Sequence, residues 1–462
     1  MNNSKKIIVP LFCILMLGCT VSPAAYGDAT TPPNIVFIMA DDLGYGDLGS
    51  YGQTKIRTPH LDTMAAEGMQ FTQYYSGSTV CAPARCVLMT GLHTGHALVR
   101  GNEHIPLRDE DYTVAELLKD AGYATGLCGK WGIGEPGTSG VPNKQGFDFF
   151  YGYLNQRNAH FYYPPFLWRN EEKVMLDGND ADKQTGRYSH DLIAEEALGF
   201  VRDNADKPFF LYWALTIPHA ELAVPEDSLA EYRGEFPETP FPKAHYGAQP
   251  TPHAAHAAMV SRMDRDVGRL MALLKDLGID DNTIVFFTSD NGPHKEGGHD
   301  PDFFDSNGPL RGTKRDLYEG GIRVPLIVRW PERIAAGTTN HHIGAFWDFL
   351  PTAAGLASHD APKGLDGLSM VPTLLGDSGQ KEHDHLYWEF YEQGGKQAVR
   401  QGNWKGIRLN ARRKPDGPIE LYNLDEDLGE TADVAMQHPR IVKRLTRLMN
   451  KSHTPNENYS FK

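Results

Sequence analysis

Cysteine is scarce in this chain, with five in 462 residues. Two of them, Cys13 and Cys19, fall in an N-terminal segment that reads as a leader. The other three, Cys81, Cys86 and Cys128, make too thin and too odd a set for a disulfide-stapled scaffold. No C-x-x-C or H-E-x-x-H spacing occurs, so the common zinc frameworks are missing too. Positive charge is in deficit: 45 Lys and Arg face 59 Asp and Glu, a net charge of −14. That argues against a nucleic-acid partner, but a local cationic pocket could still take an anionic substrate. The apolar run at residues 7–17 falls short of the ~20 residues a membrane span needs.

Preceded by Lys5 and Lys6, that run marks residues 1–27 as an export signal, which places the mature chain in the periplasm or outside the cell. Two endings compete. Ala25-Tyr26-Gly27 suits small-residue cleavage, whereas Leu17-Gly18-Cys19 resembles a lipoprotein box. Membrane attachment follows only in the second case, through a lipid on Cys19. Cys86 and Cys128 sit in apolar surroundings and read as buried thiols, with a bridge between them left open. Cys81 is then the odd cysteine of an exported chain, and it asks for a chemical role.

The whole chain is of ordinary globular composition, 40% hydrophobic and 23% charged, so a disordered chain is excluded. Apolar runs at 34–40, 209–215, 283–288 and 325–328 read as strands buried on both faces, as in a parallel sheet. Helical patterns lie between them. One opens at Thr58-Pro59 and stops at Gly68. Another starts at Thr113-Val-Ala-Glu116, which has capping-box spacing. Longer patterns cover 188–204 and 252–277. The alternation predicts an α/β fold, a large mixed, mostly parallel sheet flanked by helices. Past Gly376-Asp-Ser-Gly-Gln380 the pattern changes to short runs at 386–390, 397–400, 405–409 and 419–422, which read as an antiparallel sheet, followed by a helix over 439–450. The expected domains are therefore 28–380 and a C-terminal subdomain, 381–462.

Polar residues fall directly after the predicted strands: Asp41 and Asp42, Lys130, His219, then Asp290 and Asn291. Ligands of open α/β sheets bind outside the carboxyl ends of strands, so four such ends point to one site. Asp41, Asp42, Asp290 and Asn291 form an oxygen-only donor set, which suits Ca²⁺, with Mg²⁺ as runner-up. In Cys81-Ala-Pro-Ala-Arg85, Pro83 suits a first helical turn. Position 81 then stands at a helix N-terminus, where backbone N–H groups favour an anion, with Arg85 one turn on. Its guanidinium fork suits sulfate or phosphate oxygens.

Cys81-Ala-Pro-Ala-Arg85 resembles the C-x-P-x-R signature of the type I sulfatases, within the alkaline phosphatase superfamily. Asn34 to Asp42 resembles that family's opening strand and metal aspartates. Gly129-Lys-Trp131 resembles its second signature, and Asp290-Asn-Gly292 its later metal pair. Lys314 within residues 312–321 resembles a second catalytic lysine, and Glu420 to Leu424 with Gly429-Glu430 resembles its C-terminal subdomain. The resemblance implies that a maturation enzyme oxidises Cys81 to formylglycine (3-oxoalanine), which hydrates to a diol. One hydroxyl attacks sulfur, the alcohol leaves, and the other hydroxyl then expels sulfate and restores the aldehyde. It implies Asp41, Asp42, residue 81, Asp290 and Asn291 as metal ligands, Arg85 as their organiser, Lys130 and Lys314 on sulfate oxygens, and His219 near the leaving oxygen.

The chain departs from the family at Gly132, where many members have histidine after Lys-Trp. His93, His96, His294 and His299 are candidates to replace it. Arg100, Asn102 and His104 are expected to read the substrate, along with His294, whereas His160 to Tyr163 and Trp168 either offer stacking faces or, the favoured reading, pack against the core or the C-terminal subdomain. The expected substrate is a sulfated carbohydrate. Two alternatives are a phosphoester or phosphonate hydrolase of the same superfamily and a non-catalytic glycan-binding relative in which Cys81 stays unmodified.

Overall fold

The first apolar run forms a strand, β1 (Asn34–Ala40), buried along its whole length in a computed structural model that describes residues 32–461. Ile35, Phe37 and Met39 enter one hydrophobic core, and Val36, Ile38 and Ala40 enter another. A strand needs an unbroken apolar run when both of its faces are covered. β1 lies inside an eleven-stranded sheet with β2 (Met69–Tyr75), β3 (Ala124–Lys130), β4 (Phe149–Tyr153), β5 (Phe166–Arg169), β6 (Glu172–Met175), β7 (Phe209–Ala214), β8 (Thr283–Ser289), β9 (Arg323–Arg329), β10 (Thr338–Asn340) and β11 (Gly344–Ala345). The order is β10-β2-β9-β8-β1-β7-β3-β4-β5-β6, with β11 also on β2.

The centre of the sheet is parallel: β8, β1, β7, β3 and β4 run the same way. The run at 325–328, expected among parallel strands, instead runs antiparallel to both β8 and β2. Only four-residue helical turns separate β8 from β9, and a parallel return would require a crossover, commonly a full helix. This reversal matters for the site. The loop that enters β9 lies at the edge where the parallel strands end, and that loop carries Lys314.

Helices cover both faces. α1 (Pro59–Glu67), α4 (Ser189–Asp203) and the helix Pro252–Asp276 pack on one core. α2 (Cys81–Thr90), α3 (Val114–Asp120) and the helix Phe349–Leu356 pack on the other. Thr113 and Glu116 form the expected capping box at the start of α3. Cys81, Cys86 and Cys128 are all free and buried, so the bridge between Cys86 and Cys128 is not made.

The last stretch forms a separate antiparallel sheet, β12 (Leu386–Phe390), β13 (Lys396–Gln401), β14 (Trp404–Leu409) and β15 (Glu420–Asn423), in that order. The helix Pro439–Ser452 seats Leu445 and Met449 against it. Other residues of this sheet, including Leu386, Trp388 and Phe390, join the main core. Residues 32–461 cluster as one unit, and past residue 380 the second sheet and its helix also keep a small core of their own, built from Tyr387, Val399, Ile419, Leu421, Leu445 and Met449. The leader, with Cys13 and Cys19, lies outside the described residues. Among the described residues no helix is long and apolar enough to cross a membrane.

Candidate active site

Cys81 is the first residue of α2 and is 1% exposed. Its Sγ lies 3.3 Å from Asp41 Oδ1 and 4.0 Å from Asp42 Oδ1. Both aspartates directly follow β1, and Asp42 takes a positive φ of 65° that turns the chain there. Asp290 follows β8, the parallel neighbour of β1, and accepts from Asp42 N at 3.0 Å. Asn291 donates from Nδ2 to Asp42 Oδ1 at 2.6 Å. Neighbouring strands thus bring residues some 250 positions apart into one cluster, as the strand-end rule predicts.

Cations pair with each carboxylate. Arg85, one turn into α2, donates to Asp290 Oδ2 at 2.8 Å and to the Lys130 carbonyl at 2.7 Å, and it lies 3.7 Å from Asp41. Lys130, the last residue of β3, donates to Asp41 Oδ2 at 2.6 Å. Lys314 donates to Asp42 Oδ2 at 2.6 Å and lies 2.9 Å from His219 Nε2. All three cations are buried.

The protonation states follow from this packing. Burial alone would raise Asp41, but the Lys130 and Arg85 charges win and hold it well below the usual carboxylate range. Burial and the neighbouring aspartates push Asp290 up to about 7 despite Arg85. Burial pushes the Cys81 thiol well up, reinforced by Asp290 and Asp41. An unmodified thiol here stays protonated and is a poor nucleophile. Burial works against the Lys314 ammonium, yet the Asp42 carboxylate beside it raises its pKa well above the ordinary value.

His219 follows β7, and its Nδ1 bonds the Ala220 carbonyl. That partner assigns the proton to Nδ1 and leaves Nε2 as an acceptor for Lys314. Burial, then the Lys314 charge, lowers its pKa far below that of an ordinary histidine. His160 stacks on His219 at 4.1 Å, and His294 lies on it at 5.4 Å. A cavity of about 310 Å³ opens over this group, lined by Asn102, Gln156, His160, His219, Tyr246 and Lys314 among others.

A hard cation fits the donor set. Asp41, Asp42, Cys81 and His219 present ligand atoms within 4.8 Å of one another, and Asn291 Oδ1 is buried with no hydrogen-bond partner. Three carboxylates against three cations leave this cluster formally neutral. A bound divalent ion would make it net positive, which favours a monoanionic ester.

Two expectations change. Arg100 does not line the cavity: it is 1% exposed and held by Glu389 Oε2 at 3.2 Å, the Thr454 carbonyl and the Ala97 carbonyl. Its loop is clamped under the second sheet, so its charge is spent internally. The chain does turn at Gly91, which has φ 69°, but His93 and His96 turn with it to Asp366. His299 is buried against His256 at 3.7 Å. Of the four candidate replacements, only His294 packs on His219.

Gln156 is the residue that sequence reasoning missed. It lies three residues past β4, so the strand-end rule could have found it. Its Nε2 donates to Asn102 Oδ1 at 3.1 Å, and the same oxygen accepts from Ala82 N at 3.0 Å. Asn102 therefore tethers the N-terminal turn of α2 as well as lining the cavity. A Cβ at Gly132 would come 2.8 Å from Gln156 Oε1, which is buried and otherwise unpartnered. The amide occupies the space beside the position where the family pattern has histidine.

Comparison with known proteins shows the family. The sulfatase family profile matches residues 33–359, and the profile of the N-sulphoglucosamine sulphohydrolase C-terminal region matches 312–454. N-acetylgalactosamine-6-sulfatase of Rattus norvegicus is 36% identical over 81% of this chain and 70% of its own length. N-acetylgalactosamine-6-O-sulfatase of Bacteroides thetaiotaomicron is 28% identical over 98% of this chain and 100% of its own. Among solved structures, Ps i-CgsB in complex with k-i-k-neocarrahexaose superposes with a TM-score of 0.78 at 29% identity, covering 91% of this chain and 92% of that one.

Proposed function

The chain belongs to the sulfatase family and is a sulfuric ester hydrolase, and on that premise we propose that it removes sulfate from sulfated carbohydrates, using residue 81 as formylglycine and a bound Ca²⁺. The observation that carries this reading is the placement of Cys81. It is buried at a helix N-terminus against Asp41 and Asp42, with Arg85, Lys130 and Lys314 around it. Asp41, Asp42, Asp290, Asn291 and residue 81 would hold the ion, which would supply Lewis-acid activation of the nucleophile. Relatives and structural neighbours named for glycan sulfates support the carbohydrate.

The remaining roles follow from the chain's own groups. Arg85 spans Asp290 and the end of β3, fixing the carboxylates relative to α2. Lys130 and Lys314 offer ammonium donors to sulfate oxygens and stabilise charge as the S–O bond breaks. The departing oxygen takes its proton from Lys314 Nζ, relayed through His219 Nε2, which accepts from that ammonium and returns to the Nδ1–H form once it has passed the proton on. Asn102 and Gln156 hold the start of α2 in register.

A desulfation screen over defined sulfated saccharides, with sulfate and phosphate release measured together, tests the reading. Sulfate release is expected, and phosphate release in its place would overturn it. Cys81→Ala and Cys81→Ser should abolish turnover, and tryptic mass spectrometry of the wild type should find residue 81 as the aldehyde. Full turnover by protein with an intact Cys81 thiol would refute the nucleophile assignment.

A further inference from the structure

The helix Pro439–Ser452 carries Arg440, Lys443, Arg444, Arg447 and Lys451 and no acidic residue. Spacings of three and four place these five on one stripe of the helix. All five are exposed, and none forms an ion pair with another described residue. Some other exposed cations of this chain do find partners, among them Arg108 with Asp111, Arg169 with Glu196, Arg233 with Glu226 and Lys243 with Asp182; what sets this helix apart is five cations along one stripe with no acidic residue on the same helix. Like charges at this spacing repel, so the stripe destabilises its own helix.

We propose that this stripe is a binding surface for a sulfated polysaccharide, holding a long substrate chain outside the catalytic cavity. The claim rests on the carbohydrate reading above and adds a second site to it. Charge complementarity selects a polyanion. The helix has no apolar face to offer a bilayer, because Leu445 and Met449 are buried against the second sheet. That separates it from interfacial helices, which insert their apolar side.

The chain connects the stripe to the cavity. Directly after the helix, Thr454 bonds Gly95 and Arg100, and Tyr459 OH reaches the Gly101 carbonyl. Asn102, next in sequence, lines the catalytic cavity. Chain reach bounds the separation of Lys451 and Asn102 at about 30 Å. A polymer of several sugars spans that distance. The stripe should therefore act on long substrates and leave short ones alone.

The test compares the full chain with R440Q/K443Q/R444Q/R447Q/K451Q, whose five sites are exposed, and with a charge-preserving Arg↔Lys exchange at the same positions. Fluorescein-labelled dextran sulfate is the polyanion probe. Fluorescence anisotropy should show binding weakened by about 100-fold in the Gln variant and retained in the exchange variant. The log–log salt slope of binding should fall by about 3–4. Sulfate release from a sulfated disaccharide should be unchanged, while KM for a sulfated polymer rises at constant kcat. Unchanged dextran sulfate binding in the Gln variant overturns the proposal. So does binding of the wild type to phosphatidylglycerol vesicles without binding to dextran sulfate. If no carbohydrate is desulfated but the Gln variant still loses the probe, the substrate reading fails and the polyanion surface stands.

Discussion

Gly132 and Gln156 illustrate how a missing side chain can be explained by its neighbour. Gly132 has φ 81°, which L residues rarely adopt, and a Cβ there would press on Gln156 Oε1. Introducing the family's histidine by Gly132→His should therefore cost about 1–3 kcal/mol of stability and bring no gain in kcat, checked by thermal unfolding and steady-state rates. Gln156→Ala removes one hydrogen bond to Asn102, worth about 1–1.5 kcal/mol. It should lower kcat/KM by about 10-fold while mass spectrometry finds residue 81 still fully modified. Impaired modification in that variant would assign Gln156 to maturation instead. His93→Ala and His96→Ala should leave both sulfate and alcohol release near wild type, because both rings pair with Asp366. His294→Ala should slow turnover, since that ring packs on His219.

Among the elements, the loop after α2 ties the two sheets together. Arg100 crosses from this loop to Glu389 of β12 with both side chains buried. Glu389 also holds Tyr387, Tyr391 and His453, so losing Arg100 removes one charged partner of several. Arg100→Ala should cost about 1.5–3 kcal/mol in chemical denaturation, and KM for small substrates should hardly move. A large KM change at intact stability would return Arg100 to the substrate site. At the start of α3, Thr113→Ala deletes the capping-box oxygen that Glu116 N uses and should cost about 1 kcal/mol.

For the whole molecule, the candidate catalytic cluster joins the ends of β1, β3, β7 and β8 with the start of α2 and the entry to β9. A cation held among Asp41, Asp42, Asp290 and Asn291 would bind the folded chain alone. Ca²⁺ at 100 times its Kd should then stabilise by about 2.7 kcal/mol. Exhaustive chelation should lower Tm and remove activity together, and Asp290→Ala should erase the Ca²⁺-dependent rise. Equal Tm with and without Ca²⁺ would exclude a resident ion at this cluster.

Local sequence determined much of this protein. An unbroken apolar run makes β1 a central strand, a capping box starts α3, and Pro83 places Cys81 on the first turn of α2. Polar residues directly after strands identified Asp41, Asp42, Lys130, His219, Asp290 and Asn291 as one cluster, because strand direction alone carries them to the same edge. Tertiary structure decided the rest. The direction of β9 depends on its connection and its neighbours, which an apolar run of four residues does not encode. The fate of Arg100 depended on Glu389, 289 positions away. The filling of the space beside Gly132 depended on where the loop after β4 folds back. Periodicity reports which face of an element is buried, whereas the partner of a charge or the occupant of a gap is set by residues distant in the chain and is settled only when the elements pack.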